Sequence, residues 1–135
     1  MDYISIQNNS IDKHNIILCG GNCEDGSDWR RSHAHVKERK ICKWKQANSI
    51  QSTFWLLHEI GHIVENTLGT KYRRCESEFL ATMWAIKECN NLGIKIPPKI
   101  IQSYQNYIDR SWDRGKVRGG NLPAMSNFRL KVRAK

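Results

Sequence analysis

The chain is 135 residues long and carries 22 Lys or Arg against 13 Asp or Glu, a formal net charge of +9. That length suits one domain with a modest core and excludes two, and no run approaches the ~18 apolar residues a membrane span needs. The N-terminus, MDYISIQNNSIDKHNIIL, lacks a basic start followed by a long apolar core, so a cytoplasmic protein is expected rather than a secreted or membrane-bound one.

Residues 1–13 read as polar and irregular. Asn15 to Cys19, NIILC, is a short apolar run ending at Gly20-Gly21 and reads as a buried strand. Turn-forming Gly, Asn, Asp and Ser follow in GGNCEDGSDW. From Ala34 to Trp44 the apolar residues alternate in part, and Ile41 to Trp44 reads as the end of a second strand. Two strands joined by a Gly-rich loop predict a small antiparallel sheet. The chain has five cysteines, an odd number without a secretory signal, which argues against a disulfide framework. Cys19 and Cys23 form a CxxxC pair with no matching second pair. They read as free thiols at a Gly-rich turn rather than as part of a four-ligand zinc site.

A helix is predicted next, capped by Asn48 or Ser49, whose side chains can accept from orphan backbone N–H groups. Phe54, Leu57, Gly61, Val64 and Leu68 recur at helical spacing as a core stripe, and Gly69 ends it. A second helix is expected over Glu76 to Asn91, with Phe79, Met83 and Ile86 on its apolar face and Leu92-Gly93 as its stop. Ile96-Pro97-Pro98 introduces a third, KIIQSYQNYIDRSW, ending before Gly115. Residues 115–135 then read as a basic, flexible tail after a domain spanning residues 1–114.

The first of these helices contains His58-Glu59-Ile60-Gly61-His62. HExxH on a helix puts both histidines on one face, where they can bind zinc with the glutamate as general base. His58 and His62 lie about 100° round from Leu57 and Gly61. That puts them at the edge of the buried face, where a metal can be both dry and reachable. Gly61 leaves room for another element to approach between them. A catalytic zinc usually takes three protein ligands and leaves a position for water. No histidine follows His62, so the third ligand is open among His33, His35, Glu65, Cys75, Glu76 and Glu78.

HEIGH followed by ESEFLATMWAI resembles the gluzincins, HExxH zinc metallopeptidases whose third ligand is a glutamate on the next helix. More narrowly, the order ICKWK, LLHEIGH, ESEFLATMWAI and LGIKIPP is similar to the small ImmA/IrrE-type peptidases over about residues 34 to 110. The resemblance implies an α+β, zincin-like fold in which a small antiparallel sheet precedes the HExxH helix and two further helices. It also implies Zn2+ held by His58, His62 and Glu78, with Glu76 as the alternative third ligand and Glu59 as the catalytic base. The substrate it implies is an intracellular protein, such as a regulator or repressor. Two departures stand out: Phe79 takes a place that often holds Ala, and Thr82 one that frequently holds an acid orienting a histidine. Tyr72, His33, His35 and Arg74 are the candidate oxyanion donors.

A different reading starts from charge. Residues 30–45 carry seven Lys or Arg against one Glu, and residues 110–135 carry eight against Asp113 alone. With Trp29, Trp44 and Trp112 nearby for stacking, these segments could contact nucleic acid or an acidic protein. That would make the chain a non-catalytic basic module on a zinc-stabilised, peptidase-like fold. Retention of Glu59 weighs against it, since a purely structural zinc has no need of that carboxylate.

Overall fold

The computed structural model describes residues 2–19, 33–42, 46–69 and 73–132. The first element corrects the sequence reading. Tyr3–Lys13 is a helix, α1, started by Asp2, whose carboxylate accepts from the Ser5 backbone N–H at 3.1 Å. Its fully buried positions are polar, Gln7 and Ser10, and the Gln7 Oε1 accepts from the Ala47 N–H at 2.8 Å, while Ile6 and Ile11 pack half-buried on the two apolar clusters. A helix whose most buried positions are an amide and a hydroxyl shows no simple apolar stripe. Asn15, at φ 55, turns the chain out of α1, a conformation Asn tolerates better than most residues.

Three short strands follow: β1 (Ile17–Cys19), β2 (His33–His35) and β3 (Lys40–Cys42), in spatial order β1-β3-β2. The expected antiparallel sheet is a mixed one. β2 and β3 pair antiparallel across a four-residue turn, whereas β1 pairs parallel to β3. A tight turn permits only antiparallel pairing; the longer stretch between β1 and β3 allows the chain to return in the parallel sense. The first strand is also less buried than expected, with Ile17 59% exposed. The face carrying Ile41 does the packing, in a cluster with Ile16, Leu56, Ile60 and Ile63. The Arg39 guanidinium donates to the His14 carbonyl and ties the β2–β3 turn to the end of α1.

The HExxH helix, α2, spans Ile50–Val64. Ser49 is its cap: its hydroxyl accepts from the Ser52 N–H while the Ser52 hydroxyl accepts from the Ser49 N–H, a reciprocal box. The helix stops at Val64 rather than at Gly69. Asn66 takes φ 51 and a 3-10 turn follows at Thr67–Gly69, leaving Leu68 63% exposed. The next helix, α3, spans Arg73–Asn91 and begins three residues earlier than expected. It packs along α2.

Their closest approach is at Gly61. A Cβ there would lie 2.6 Å from the Ala81 carbonyl oxygen and 3.1 Å from its Cα, so only glycine fits. α4, Pro98–Val117, opens with Pro in its first turn and runs on through Gly115. Gly115 does not end it, because the missing side chain accommodates Leu122, whose Cδ1 would be 2.8 Å from a Cβ.

The segment beyond Gly115, expected as a flexible tail, instead folds back along α4 and α3. The Trp112 indole N–H donates to the Pro123 carbonyl at 2.8 Å. Gln105 holds the returning segment at both ends of its amide, donating to the Phe128 carbonyl and accepting from the Leu130 N–H. Phe128 and Leu130 join the main core, Phe128 edge-on to Phe79 at 5.7 Å. The Gln105 and Phe79 partners are more than twenty residues away in sequence, beyond the reach of local pattern. Phe128→Ala is expected to cost roughly 3 kcal/mol, the usual scale for removing a buried aromatic ring. A denaturation midpoint unchanged from wild type would show that this segment is not part of the core.

Among the described residues no helix is long and apolar enough to cross a membrane. Of the basic segments, residues 30–32, 43–45 and 133–135 lie outside those described, as do Trp29 and Trp44. Arg110, Arg114, Lys116 and Arg118 are exposed along the end of α4, with the Lys116 ammonium 5.6 Å from the Trp112 ring.

Candidate metal centre

Three side chains from two helices meet where α2 and α3 cross. His58 and His62, one turn apart on α2, present their Nε2 atoms to the Glu78 carboxylate on α3, at 2.9 Å and 3.2 Å. Their ligand atoms all lie within 4.8 Å of one another, and the group could hold a metal ion. His58 and His62 are buried, and Glu78 is 17% exposed. The site is therefore sheltered and open on its carboxylate side.

The other ring nitrogen of each histidine is tied off. Thr82 Oγ1 lies 3.0 Å from His58 Nδ1 and donates its own proton to the Glu78 carbonyl at 2.7 Å. The hydroxyl has one proton, so His58 Nδ1 must be the N–H donor in this pair. Thr67 Oγ1 does the same for His62, 3.0 Å from its Nδ1 and directed at the His62 carbonyl. Ser77 Oγ stands 3.3 Å from the same nitrogen. The network thus assigns both rings as the Nδ1–H tautomer, with the Nε2 lone pairs facing Glu78.

Two lone pairs facing a carboxylate at these distances repel unless something positive lies between them. Without a cation, a proton has to serve. Burial works against charge on His62, but the hydrogen bond and charge of Glu78, with Glu59 beyond, raise its pKa above the usual imidazole value. Burial likewise works against the Glu78 carboxylate. The His58 and His62 hydrogen bonds outweigh it and hold that carboxyl well below the usual range. A divalent cation in the same place would satisfy all three groups with the protons released.

Two local features make this arrangement possible. Thr82, which departs from the acid that the gluzincins the sequence resembles frequently carry at this place, contacts His58 as a neutral hydroxyl. Thr67 reaches His62 only because α2 ends early and Asn66 turns the chain back. The early stop is thus part of the site.

Glu59 lies on α2 between the histidines but outside the three-residue group. It is 9% exposed. Burial raises its pKa; the nearby His58 and His62 act the other way, and Glu78 adds to the rise.

The remaining sequence candidates stand elsewhere. Glu76 is in the first turn of α3 and outside the group. Glu65 caps α2 and lines a separate cavity with Lys13, His14 and Trp84. Cys75 is in the core, its thiol pushed up by burial. The Arg74 guanidinium donates to the Tyr107 hydroxyl at 3.3 Å. His35 is half-buried on β2, and Tyr72 lies outside the described residues.

Sequence reasoning missed Tyr104. Its ring packs against His58, centroids 4.9 Å apart, and edge-on to Phe54 at 5.0 Å. Burial raises the phenol's pKa well above its ordinary value, and the charges of Glu59 and Glu78 raise it further. The phenol therefore keeps its proton, with its ring against His58. A signal was available, because Ile100, Tyr104 and Ile108 recur every four residues along α4. A phenol on a core stripe has to find a polar environment for its hydroxyl.

Comparison with protein-family models, with curated proteins and with solved structures finds no match for this chain.

Proposed function

We propose that the chain is a zinc-dependent peptidase with a zincin-like fold, of the gluzincin type and similar to the ImmA/IrrE group. The observation that carries the reading is the convergence of two Nε2 lone pairs on one carboxylate, with both Nδ1 atoms already committed to hydroxyls. Two imidazoles and one carboxylate form a donor set suited to zinc with a coordination position to spare. The residues present therefore fit the ion. His58, His62 and Glu78 would hold it, and Thr82, Thr67 and Ser77 would fix the ring orientations.

When bound, zinc there would lower the pKa of a water molecule and polarise a peptide carbonyl. Glu59 is the base: its buried carboxylate takes the proton of the attacking water and passes it to the departing amine. Tyr104 keeps its phenolic proton and can donate to charge developing on the carbonyl oxygen. The proposed substrate is a protein segment, and an intracellular regulator is the class the sequence resemblance favours.

The test is zinc per chain in purified wild type, Glu78→Ala and Glu76→Ala. About one zinc in wild type and Glu76→Ala, falling at least about tenfold in Glu78→Ala, is expected. Absence of zinc from wild type after reconstitution, or equal loss in both variants, would overturn the assignment.

A further inference from the structure

The basic C-terminal segment takes no part in the metal centre, and folding gives part of it a definite shape. Between residues 110 and 118 the chain carries Arg110, Arg114, Lys116 and Arg118 against Asp113 alone. All four cations are exposed, on the last turns of α4 and at its C-cap. Arg110, Arg114 and Arg118 are spaced by four. Residues four apart in a helix rise by about 6 Å and rotate by only about 40°, so the three form one row about 12 Å long. Two amides, Gln102 and Asn106, continue the row toward the helix start, and none of its five positions is acidic.

Helix physics accounts for only part of this. Cations are favoured in a last turn, beside the unpaired carbonyls, which suits Arg114, Lys116 and Arg118. Arg110 lies two turns from the end and gains nothing there, and like charges at four-residue spacing repel. Among the described residues no carboxylate pairs with any of the three arginines; Asp109 faces Arg129 instead, at 3.9 Å. Arg114 Nε donates to the Arg110 carbonyl at 3.4 Å, which leaves its terminal amino groups for another partner. A row of mutually repelling guanidiniums is relieved by a polyanion laid along it.

The surroundings decide which polyanion. Guanidinium forks match phosphate oxygens, and a DNA duplex offers them as a regular line, one charge per about 1.7 Å of axis. Of the exposed large apolar side chains only Val117 belongs to α4, too little to enter a lipid surface. Single strands need aromatic faces free for base stacking. Trp112 is half-buried and engaged, its indole N–H on the Pro123 carbonyl and its ring beside Lys116. An exposed helix, about 10–12 Å across, suits the major groove of B-form DNA, about 12 Å wide. The deep, narrow major groove of A-form RNA admits no helix.

We propose that Arg110, Arg114 and Arg118 form a docking row for the phosphate backbone of double-stranded DNA, with α4 lying along the major groove and no dependence on base sequence. The row is independent of the peptidase reading. Fluorescence anisotropy of a labelled duplex of about 20 base pairs, titrated with the full chain at several salt concentrations, tests it. Wild type is expected to bind, and to weaken steeply as salt rises. The variant Arg110→Gln/Arg114→Gln/Arg118→Gln should bind about a hundredfold more weakly at about 0.1 M salt, with the slope of log K against log salt smaller by about 2–3. A matched control, Lys13→Gln/Lys87→Gln/Lys95→Gln, removes the same charge from exposed positions elsewhere and should weaken binding by no more than about fivefold.

Every substituted side chain is exposed and Gln is a good helix former; far-ultraviolet circular dichroism checks that each variant folds. Should the triple arginine variant fail to fold, Arg114→Gln alone carries the test, with an expected loss of about fivefold and a slope smaller by about one. Absence of salt-sensitive binding by wild type, or full affinity in the folded arginine variant, overturns the row. Equal losses in the arginine and lysine variants assign the binding to net charge and overturn it as well. Tighter binding to a single strand, to an RNA duplex or to anionic vesicles overturns the choice of double-stranded DNA.

Discussion

Glu59→Gln is expected to lower peptide hydrolysis by about a hundred- to ten-thousand-fold while zinc per chain stays at the wild-type level. The amide has the shape of the carboxylate, so the surroundings of a side chain only 9% exposed are disturbed little. What is lost is the capacity to accept a proton. Zinc retention follows from the geometry, because Glu59 lies outside the group formed by His58, His62 and Glu78. Hydrolysis of a quenched-fluorescence peptide library, read beside zinc content, separates the possibilities. Loss of both activity and zinc would make Glu59 a structural support. Full activity in the variant would remove it from the chemistry altogether.

The centre was largely legible in the sequence because its parts are local. HExxH sets two ligands one helical turn apart by spacing alone, and Ser49 announces the start of that helix. Glu78 and Glu76 both lie on the next helix, and only the resemblance to the gluzincins distinguishes Glu78 in the sequence. Thr67 was not legible, and Tyr104 showed only as a phenol on the core stripe of α4, with nothing to tie it to the site. Thr67 acts only after an unforeseen break in α2, and Tyr104 arrives from α4, twenty-six positions beyond Glu78.

The same division runs through the fold. α2, α3 and α4 show themselves by apolar periodicity, whereas α1 puts Gln7 and Ser10 at its most buried positions and only half-buries Ile6 and Ile11. The parallel pairing of β1 is set by tertiary packing, and three-residue strands offer too little pattern to choose between partners. Charge dominates the composition of residues 115–132 and hides their packing from a reading of pattern alone. Two apolar side chains, Phe128 and Leu130, together with one amide, Gln105, are enough to hold them.

Gly61→Ala is expected to damage stability and metal binding together, although alanine is the better helix former. Propensity alone would favour the substitution by roughly 1 kcal/mol. Against it stands the Ala81 carbonyl oxygen, 2.6 Å from where the new Cβ would sit. That atom belongs to the backbone of α3 and cannot rotate away. The helices would have to part by on the order of 1 Å, a displacement of the kind that costs about 1–3 kcal/mol in a packed core.

The candidate metal centre is expected to suffer more than the core. His58 and His62 ride on α2 and Glu78 on α3, so a parting of the two helices moves the carboxylate away from both imidazoles at once. A metal site tolerates only about 0.2 Å in its ligand distances. Zinc affinity is therefore expected to fall by about tenfold or more, with a melting temperature several degrees lower. Zinc titration and thermal denaturation of the metal-free and zinc-loaded variant measure the two effects separately. A variant that melts at a higher temperature than wild type and keeps its zinc affinity would show that α2 and α3 are not in contact at this point. The crossing that brings Glu78 to the two histidines would then have to lie elsewhere.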